Sequence, residues 1–136
     1  LAVPERFPAA SSIRSWSGME SLPDGQTPCV IMTHNYLLDK EILKTLLPSE
    51  VPYIGFLGPK KRGVRLLSEA IEEGLAVSDE QVSRYLSPIG LDIGAASANE
   101  IAISVVAEIL SVLRNRNGGN LRDRKGSIHG KKAINQ

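Results

Sequence analysis

The sequence predicts an α/β protein built on a parallel β-sheet with flanking helices. Two short apolar runs have the character of buried strands, and they alternate with segments whose apolar residues recur at helical spacing. Parallel strands covered on both faces are apolar throughout, and a helix normally forms the right-handed crossover between them. Such sheets bind ligands at the carboxyl ends of their strands, so the residues after each strand are the first site candidates.

The first third of the chain contains one weak strand prediction, one clear strand and a helix. Residues 12–16 alternate only in part, whereas residues 29–33 form the continuous apolar run of a strand buried on both faces. A Pro-Asp-Gly turn at 23–25 separates them. Asp39 is the predicted cap of the helix, and Pro48 closes it. The apolar residues of this helix are Ile42, Leu43, Leu46 and Leu47.

The second strand and the helix after it complete a βαβ pattern. Residues 51–57 are predicted to form a buried strand, and residues 59–73 a helix that Gly74 ends in a left-handed cap. The residues expected to face the core from this helix are Val64, Leu67, Ala70 and Ile71.

Two capping boxes predict the remaining helices. A Ser-x-x-Gln box begins a short helix over about 78–85, and a Ser-x-x-Glu box begins a longer one over 97–113. Residues 88–94 between them are glycine-rich, which predicts a loop with a short extended piece.

The helix over 97–113 has one narrow polar stripe and apolar or small residues on its other faces. We therefore expect the sheet, together with another helix or subunit, to cover most of its sides. This surface favours a homo-oligomer with Val105, Ile109 or Val112 at or near the interface. The polar stripe comprises Glu100, Ser104, Glu108 and Ser111.

The start of the helix over 59–73 is densely positive. A helix amino terminus already carries about half a positive elementary charge from its peptide dipoles, so basic side chains there repel it. An anion bound to the free N–H groups would explain this pattern, and Gly58 would let the backbone approach such a ligand. A solvated basic patch is the alternative. The basic residues are Lys60, Lys61, Arg62 and Arg65, and the equally unfavourable acidic residues at the other end are Glu69, Glu72 and Glu73.

Further candidates lie at the same predicted edge of the sheet. Thr33 and His34 follow the first strand, and the histidine is either an acid/base group or, more commonly, a structural hydrogen-bonding group. Gly55 belongs to the segment that leads out of the second strand. The loop before the last helix contributes Asp92 and Gly94. Asp92 is either a hydrogen-bond acceptor for a ligand hydroxyl or a turn former, and Gly94 allows a ligand to approach the backbone closely.

Motifs of catalysis and metal binding are absent from the sequence. No P-loop, nucleophile elbow, dinucleotide fingerprint or His-Glu-x-x-His pattern is present. Cys29 lies within a predicted strand without a basic neighbour, and no second ligand lies at metal-site spacing from His34. The sequence therefore predicts a binding domain rather than an enzyme, and no metal site.

The composition is that of a globular protein of one domain. The chain has 136 residues, of which 42% are hydrophobic and 23% charged, and no apolar run approaches the ~18 residues of a membrane span. A single cysteine fits a reducing cytoplasm, the expected location. The chain begins with Leu1 in a proline-bearing segment, which suggests a piece of a longer protein.

Positive charge is concentrated at the end of the chain. Residues 114–136 hold seven of the 16 Lys and Arg residues but one of the 15 acidic residues. Such asymmetry can mark a nucleic-acid-binding tail. This segment has few large apolar residues with which to order itself, so we predict a flexible basic tail after a domain over 1–113, and nucleic-acid binding is disfavoured.

Three separated motifs resemble the carboxy-terminal Rossmann-like domain of the xanthine dehydrogenase accessory factors of the XdhC/CoxI type. The resemblance covers about residues 1–113, in the order of the family's own motifs. The motifs are Val30-Ile-Met-Thr-His-Asn35, Tyr53-Ile-Gly-Phe-Leu-Gly-Pro-Lys-Lys-Arg62, and Pro88-Ile-Gly-Leu-Asp-Ile-Gly-Ala95 followed by Glu100-Ile-Ala-Ile-Ser104.

The resemblance implies a cytoplasmic, non-catalytic maturation factor. Such factors bind the molybdenum cofactor, a phosphate-bearing pterin (molybdopterin), and help to insert it into an apo molybdenum hydroxylase of the xanthine dehydrogenase type. A cysteine desulfurase is a further implied partner. The phosphate agrees with the anion site predicted at residues 60–62.

The sequence departs from the full family pattern because the first strand-turn-helix unit of the Rossmann-like sheet is missing. Cofactor binding by this chain would then need an upstream chain or a second subunit to complete the sheet. Two other functions remain open. One is a nicotinamide-dependent oxidoreductase, against which the missing glycine fingerprint argues, and the other is a non-catalytic oligomerisation module.

Overall fold

The sheet has three parallel strands in the order β1-β2-β3. A computed structural model describes residues 4–18 and 21–129. The strands are β1 (Cys29–Ile31), β2 (Ile54–Phe56) and β3 (Tyr85–Leu86), with Cys29 paired to Ile54 and Ile54 paired to Tyr85. The predicted α/β class and the Rossmann-like parallel arrangement are confirmed.

Helices connect the strands and follow the last one. They are α1 (Tyr36–Leu46), α2 (Lys60–Glu72), α3 (Asp79–Ser83) and α4 (Ala98–Leu113). Both predicted capping boxes, at Ser78 and Ser97, are present. Asp39 is not the cap of α1, because Asn35 takes that position and its side chain accepts a hydrogen bond from the Leu38 amide.

The core lies where α1 and α2 pack on the sheet. The face of α2 that is buried differs from the prediction, because Val64 is 54% exposed and Ile71 is 46% exposed. Ala70 is buried and Leu67 packs against the core as predicted, whereas Gly63 and Leu66 take the other inward positions. The buried cluster comprises Ile31, Ile42, Leu43, Leu46, Leu47, Val51, Ile54, Phe56 and Leu66.

The strand β1 is less buried than predicted. Ile31 is buried, but Val30 is 38% exposed and Met32 is 53% exposed. Val30 and Met32 lie on the face of this edge strand opposite Ile31, and the described residues cover that face only in part. Residues 12–16 do not form the weakly predicted strand, because residues 12–15 have no regular structure and Trp16 begins a 3₁₀ turn. The turn near 23–25 forms, with the Thr27 amide donating to the Asp24 carbonyl at 3.2 Å.

The third strand was not predicted. The short helix α3 ends at Ser83, and the chain then enters β3 rather than continuing as a helix to Tyr85. Arg84 anchors this transition, because its guanidinium donates to the Ser49 and Val51 carbonyls at 2.8 and 2.6 Å. These tertiary hydrogen bonds have no local sequence signal.

The orientation of α4 is the reverse of the expected one. Its polar stripe faces the rest of the chain: Ser104 is buried and its hydroxyl donates to the Leu91 carbonyl at 2.6 Å. Glu108 accepts from the buried Tyr53 hydroxyl at 2.8 Å and from the Gly90 amide at 3.0 Å. Burial and this hydrogen bond raise the pKa of the Tyr53 hydroxyl.

The apolar residues of α4 therefore lie largely on the outside. Val105 and Ile109 are half-buried, whereas Val112 is 37% exposed. The most exposed apolar side chains of the helix are Ile103, Val106, Leu110 and Leu113. We call these four residues the outer face of α4.

The segment after α4 has little regular structure. Asn115 has a positive φ of 53°, and the Arg116 amide donates to the Ser111 carbonyl at 2.7 Å. One 3₁₀ turn covers Leu121–Asp123, and most residues from 115 to 129 are exposed. A domain limit at 113 and a flexible tail stay predictions.

Candidate functional site

The loop between β1 and α1 has a defined conformation at the carboxyl edge of the sheet. The Thr33 hydroxyl oxygen accepts a hydrogen bond from the Asn35 amide at 3.1 Å and lies 3.2 Å from the Asn35 carbonyl oxygen. Between them, His34 is exposed and has a φ of 59°, which is uncommon for a residue other than glycine. The His34 side chain therefore lies at the surface after the strand, rather than in the core.

Asp39 holds this loop against α2. Its side chain is 2% exposed and accepts from the Thr33 amide at 3.3 Å and from the Thr33 hydroxyl at 2.5 Å. The Arg62 Nη2 atom lies 3.5 Å from the other carboxylate oxygen. The carboxylate thus links two predicted site residues, Thr33 and Arg62.

Sequence reasoning missed this role because Asp39 looked like a helix cap. A signal was available in Asn35, an equally favourable cap residue one turn earlier. Helical side chains point back toward the amino terminus, so a helix that begins after Asn35 directs Asp39 toward the end of β1.

The first turn of α2 has two lysines without ionic partners. Pro59 is the N-cap residue and supplies no side-chain hydrogen bond to the helix. Lys60 and Lys61 are exposed, and neither forms an ion pair with any described residue. The amino terminus of α2 therefore keeps the positive potential of its dipole and gains that of both side chains.

The Arg62 side chain lies against two aromatic rings, and one of its N–H donors has no hydrogen-bond partner among the described residues. Its guanidinium lies near the rings of Tyr36 and Phe56, with Cζ 5.7 and 6.0 Å from their centroids. Its Nε atom is buried and has no hydrogen-bond partner among the described residues. Buried donors in native proteins are nearly always paired, so this N–H is suited to an acceptor supplied by a ligand.

The acidic end of α2 is explained by α1 and needs no ligand. Lys40 lies 3.3 Å from Glu69 and 2.5 Å from Glu73, and Lys44 lies 3.3 Å from Glu73. The prediction of unfavourable charge is therefore wrong for the carboxyl end of α2. There, the ion pairs with lysines of α1 outweigh the repulsion between the acidic side chains and the helix dipole. The hydrogen bond from Arg65 is the largest of the effects that lower the pKa of Glu69 to about 2, and the hydrogen bond from Tyr36 adds to it.

Two predicted glycines lie against neighbouring side chains. Gly55 is buried within β2, where a Cβ atom would overlap the Ile89 side chain and lie 2.8 Å from the Tyr53 ring. It serves close packing and has no surface for a ligand. Gly58 is half-exposed after β2, and a Cβ atom there would lie 2.6 Å from the Phe56 ring.

The two candidates in the loop before α4 stand apart from this cluster. The Leu91 amide donates to the Ser104 carbonyl at 3.3 Å, which holds the loop on α4. Asp92 is exposed, and Gly94 has a φ of 71° with no atom near its missing Cβ. Within residues 4–18 and 21–129, Asp92 forms no hydrogen bond or ion pair with Thr33, Asp39 or Arg62.

Other functional signals across the described part of the chain are weak. It contains no group of three or more His, Cys, Asp or Glu residues arranged to hold a metal ion. None of its helices is long and apolar enough to cross a membrane. Burial raises the pKa of the Cys29 thiol, which disfavours its reactive thiolate form.

Comparison with known proteins finds similarity to one family and to proteins with xanthine dehydrogenase names. Residues 1–109 match the family described as XdhC Rossmann domain. The chain is 42% identical over 81 residues to a Bacillus subtilis protein named as a probable xanthine dehydrogenase subunit, covering 60% of this chain and 22% of that protein. It is 32% identical over 123 residues to the uncharacterized protein YqeB of Escherichia coli, covering 85% and 22%.

A solved structure is similar in fold. It is a crystal structure described as a xanthine dehydrogenase from Bacillus halodurans, with 39% identity and a TM-score of 0.58, and the match covers 72% of this chain and 26% of that chain. The chain spans about a fifth of the length of the curated relatives it matches, 22% in each case.

Proposed function

Because this chain belongs to the XdhC Rossmann domain family, we propose that it serves the maturation of a xanthine dehydrogenase-type molybdenum hydroxylase by binding the molybdenum cofactor. One relative is named as a probable subunit of xanthine dehydrogenase, and the solved relative is described as a xanthine dehydrogenase. These names support an association with that class of enzyme.

The observation that carries the proposal is the amino terminus of α2. Lys60 and Lys61 have no ionic partner among the described residues, and Arg62 Nε is a buried donor without an acceptor there. The first N–H groups of the helix, two exposed ammonium groups and one guanidinium donor without an acceptor match what a phosphate requires, although the Arg62 amide already donates to the Pro59 carbonyl. These residues therefore fit the phosphate of molybdopterin.

The loop between β1 and α1 supplies the second part of the proposed site. Asp39 couples this loop to Arg62, so Thr33 and His34 are held next to the same helix terminus. Their polar groups would hydrogen-bond to the pterin ring system. When bound, the cofactor carries the molybdenum chemistry, and the residues of this chain hold and orient it.

The proposed role is non-catalytic. The chain would hold the cofactor and pass it to an apo molybdenum hydroxylase, and a cysteine desulfurase would provide sulfur to the bound cofactor. The basic groups at the start of α2 and the polar groups of the loop between β1 and α1 support a role in holding the cofactor for transfer.

Reconstitution of an apo xanthine dehydrogenase tests this role. Cofactor released from a donor molybdenum enzyme is added with or without the chain, and xanthine oxidation is measured over time. We expect the chain to speed activation, and Lys60→Ala with Lys61→Ala to remove most of that gain. A control with Arg14→Ala and Arg122→Ala, which removes two exposed positive charges elsewhere, should retain it. Equal activation with and without the chain would contradict the proposal.

We also propose that the chain self-associates through the outer face of α4. Ile103 and Val106 are each 63% exposed, and the face carries no charge that would oppose a second apolar helix. A dimer with a micromolar dissociation constant corresponds to a binding free energy of about 8 kcal/mol. Such a dimer would predominate at concentrations on the order of tens of micromolar, where sedimentation should detect it.

Charge substitutions test whether association depends on the outer face of α4 or on any exposed apolar side chain. Val106→Lys should give a monomer, whereas Val64→Lys, at the 54% exposed valine of α2, should leave the dimer intact. A monomeric wild-type chain, or a dimer that Val106→Lys leaves unchanged, would argue against the proposed interface.

A further inference from the structure

A second basic site lies after α4, apart from the residues used above. The chain from 115 to 128 curls around a cavity of about 710 Å³. The loop is held by its own hydrogen bonds, including the Gly119 amide to the Asn117 side chain at 3.0 Å and the Arg124 amide to the Leu121 carbonyl at 3.1 Å. Gly118 packs on Leu91, because a Cβ atom there would lie 2.9 Å from that side chain.

The charge around this cavity is uncompensated. Its lining includes three cationic side chains, Arg116, Arg124 and Lys125, but a single carboxylate, Asp123. None of these four residues forms an ion pair with any part of the chain that the structure describes. Like charges gathered in one short loop repel each other, and a single carboxylate does not balance three cations.

Arg124 adds an orphaned donor to this charge. Its Nε atom is buried, and no described residue accepts its hydrogen bond. A guanidinium presents several N–H groups in a planar fork that fits the oxygens of phosphate. Arg124 thus lines a positively charged cavity and has a buried donor without an acceptor among residues 4–18 and 21–129.

We propose that residues 115–125 bind a small phosphate-class oxyanion, either inorganic phosphate or a phosphate monoester, with Arg124 Nε donating to one of its oxygens. Arg116 and Lys125 supply the balancing positive charge. This site is independent of the proposed cofactor site at α2, and it gives the basic segment a defined ligand rather than a general affinity for polyanions.

The test follows the Arg124 side chain directly. Inorganic phosphate is titrated into the full chain while the ¹H–¹⁵N resonance of Arg124 Nε is recorded by NMR. We expect a saturable shift that sodium chloride at equal ionic strength does not reproduce. Arg124→Lys keeps the charge but lacks the fork of donors. In a chain that also carries Lys60→Ala and Lys61→Ala, phosphate affinity measured by calorimetry should therefore fall at least about tenfold.

Two controls make the outcome specific. Arg122→Lys, at an exposed neighbour that does not line the cavity, should bind phosphate as the wild type does. Lys60→Ala with Lys61→Ala should also leave this site unchanged. Backbone amide spectra of each variant establish that the loop keeps its conformation. Absence of saturation, an equal effect of chloride, or equal losses in the Arg122 and Arg124 variants would overturn the proposal, and the last would indicate a general polyanion surface.

Discussion

Replacing Asp39 by alanine should lower the free energy of unfolding by about 2–4 kcal/mol, because two donors lose a charged, buried acceptor. The donors are the Thr33 amide and hydroxyl, and Arg62 loses its carboxylate neighbour as well. Asp39→Asn preserves the shape and an acceptor oxygen, so it should cost about half as much. Urea denaturation at neutral pH measures the free energy of unfolding of both variants.

The same substitution should also disturb the proposed site. Without Asp39, Thr33 is no longer tied to Arg62 of α2, so cofactor affinity should fall as well as stability. Glu41→Ala is a matched control on the same helix, since Glu41 is 64% exposed and its nearest cation, Lys44, is 3.9 Å away. It should change stability by less than about 0.5 kcal/mol. Equal losses for Asp39→Ala and Glu41→Ala would show that the buried carboxylate is not a structural anchor.

The second large effect is expected at Glu108. Glu108→Ala leaves the buried Tyr53 hydroxyl and the Gly90 amide without their acceptor, at a cost of about 2–4 kcal/mol. Glu72→Ala is the control, because Glu72 is exposed and forms no ion pair with a described residue. The large loss should appear only at Glu108, and thermal or urea unfolding measures it.

A double-mutant cycle distinguishes this hydrogen bond from simple loss of packing. With Tyr53→Phe in place, no buried hydroxyl remains to be orphaned, so Glu108→Ala should cost less than in the wild type. We expect a coupling free energy of about 1–2 kcal/mol. Strict additivity would mean that the Tyr53 hydroxyl does not depend on Glu108, and the inward orientation of α4 would then lose its main support.

Elements with local signals were predicted well from the sequence. The two strands, the left-handed Gly74 after α2 and both capping boxes depend on residues close together in the chain, and all of them form. The basic turn after β2 was recognised for the same reason. Helix dipoles, caps and turns are short-range effects.

The errors arose where tertiary contacts determine which face of an element is buried. The polar stripe of α4 turned inward because Tyr53 and Gly90 present buried donors that Glu108 satisfies, and these donors lie far away in sequence. Periodicity identifies a face but not the partner that it meets. Likewise, Val30 was predicted as buried because an apolar run does not reveal whether its strand lies at an edge of the sheet.

The candidate site was predicted in part. Lys60, Lys61 and Arg62 begin α2 as expected, and Thr33 lies close enough to share Asp39 with Arg62. Gly55 stays a prediction as a ligand contact, but its lack of a side chain serves contact with Ile89. A glycine that admits a ligand and one that admits a neighbouring side chain are identical in sequence.

The affinity of the chain for the molybdenum cofactor tests the central claim most directly. Cofactor extracted from a molybdenum enzyme is titrated at low salt, with binding followed by pterin fluorescence, against the wild type, the Lys60→Ala/Lys61→Ala variant and the Arg14→Ala/Arg122→Ala control. We predict binding by the wild type and control, at least about tenfold weaker binding by the lysine variant, and a smaller difference at high salt. Equal affinity of all three proteins at low salt, or no binding by the wild type, would contradict the assignment of the α2 terminus as the phosphate site.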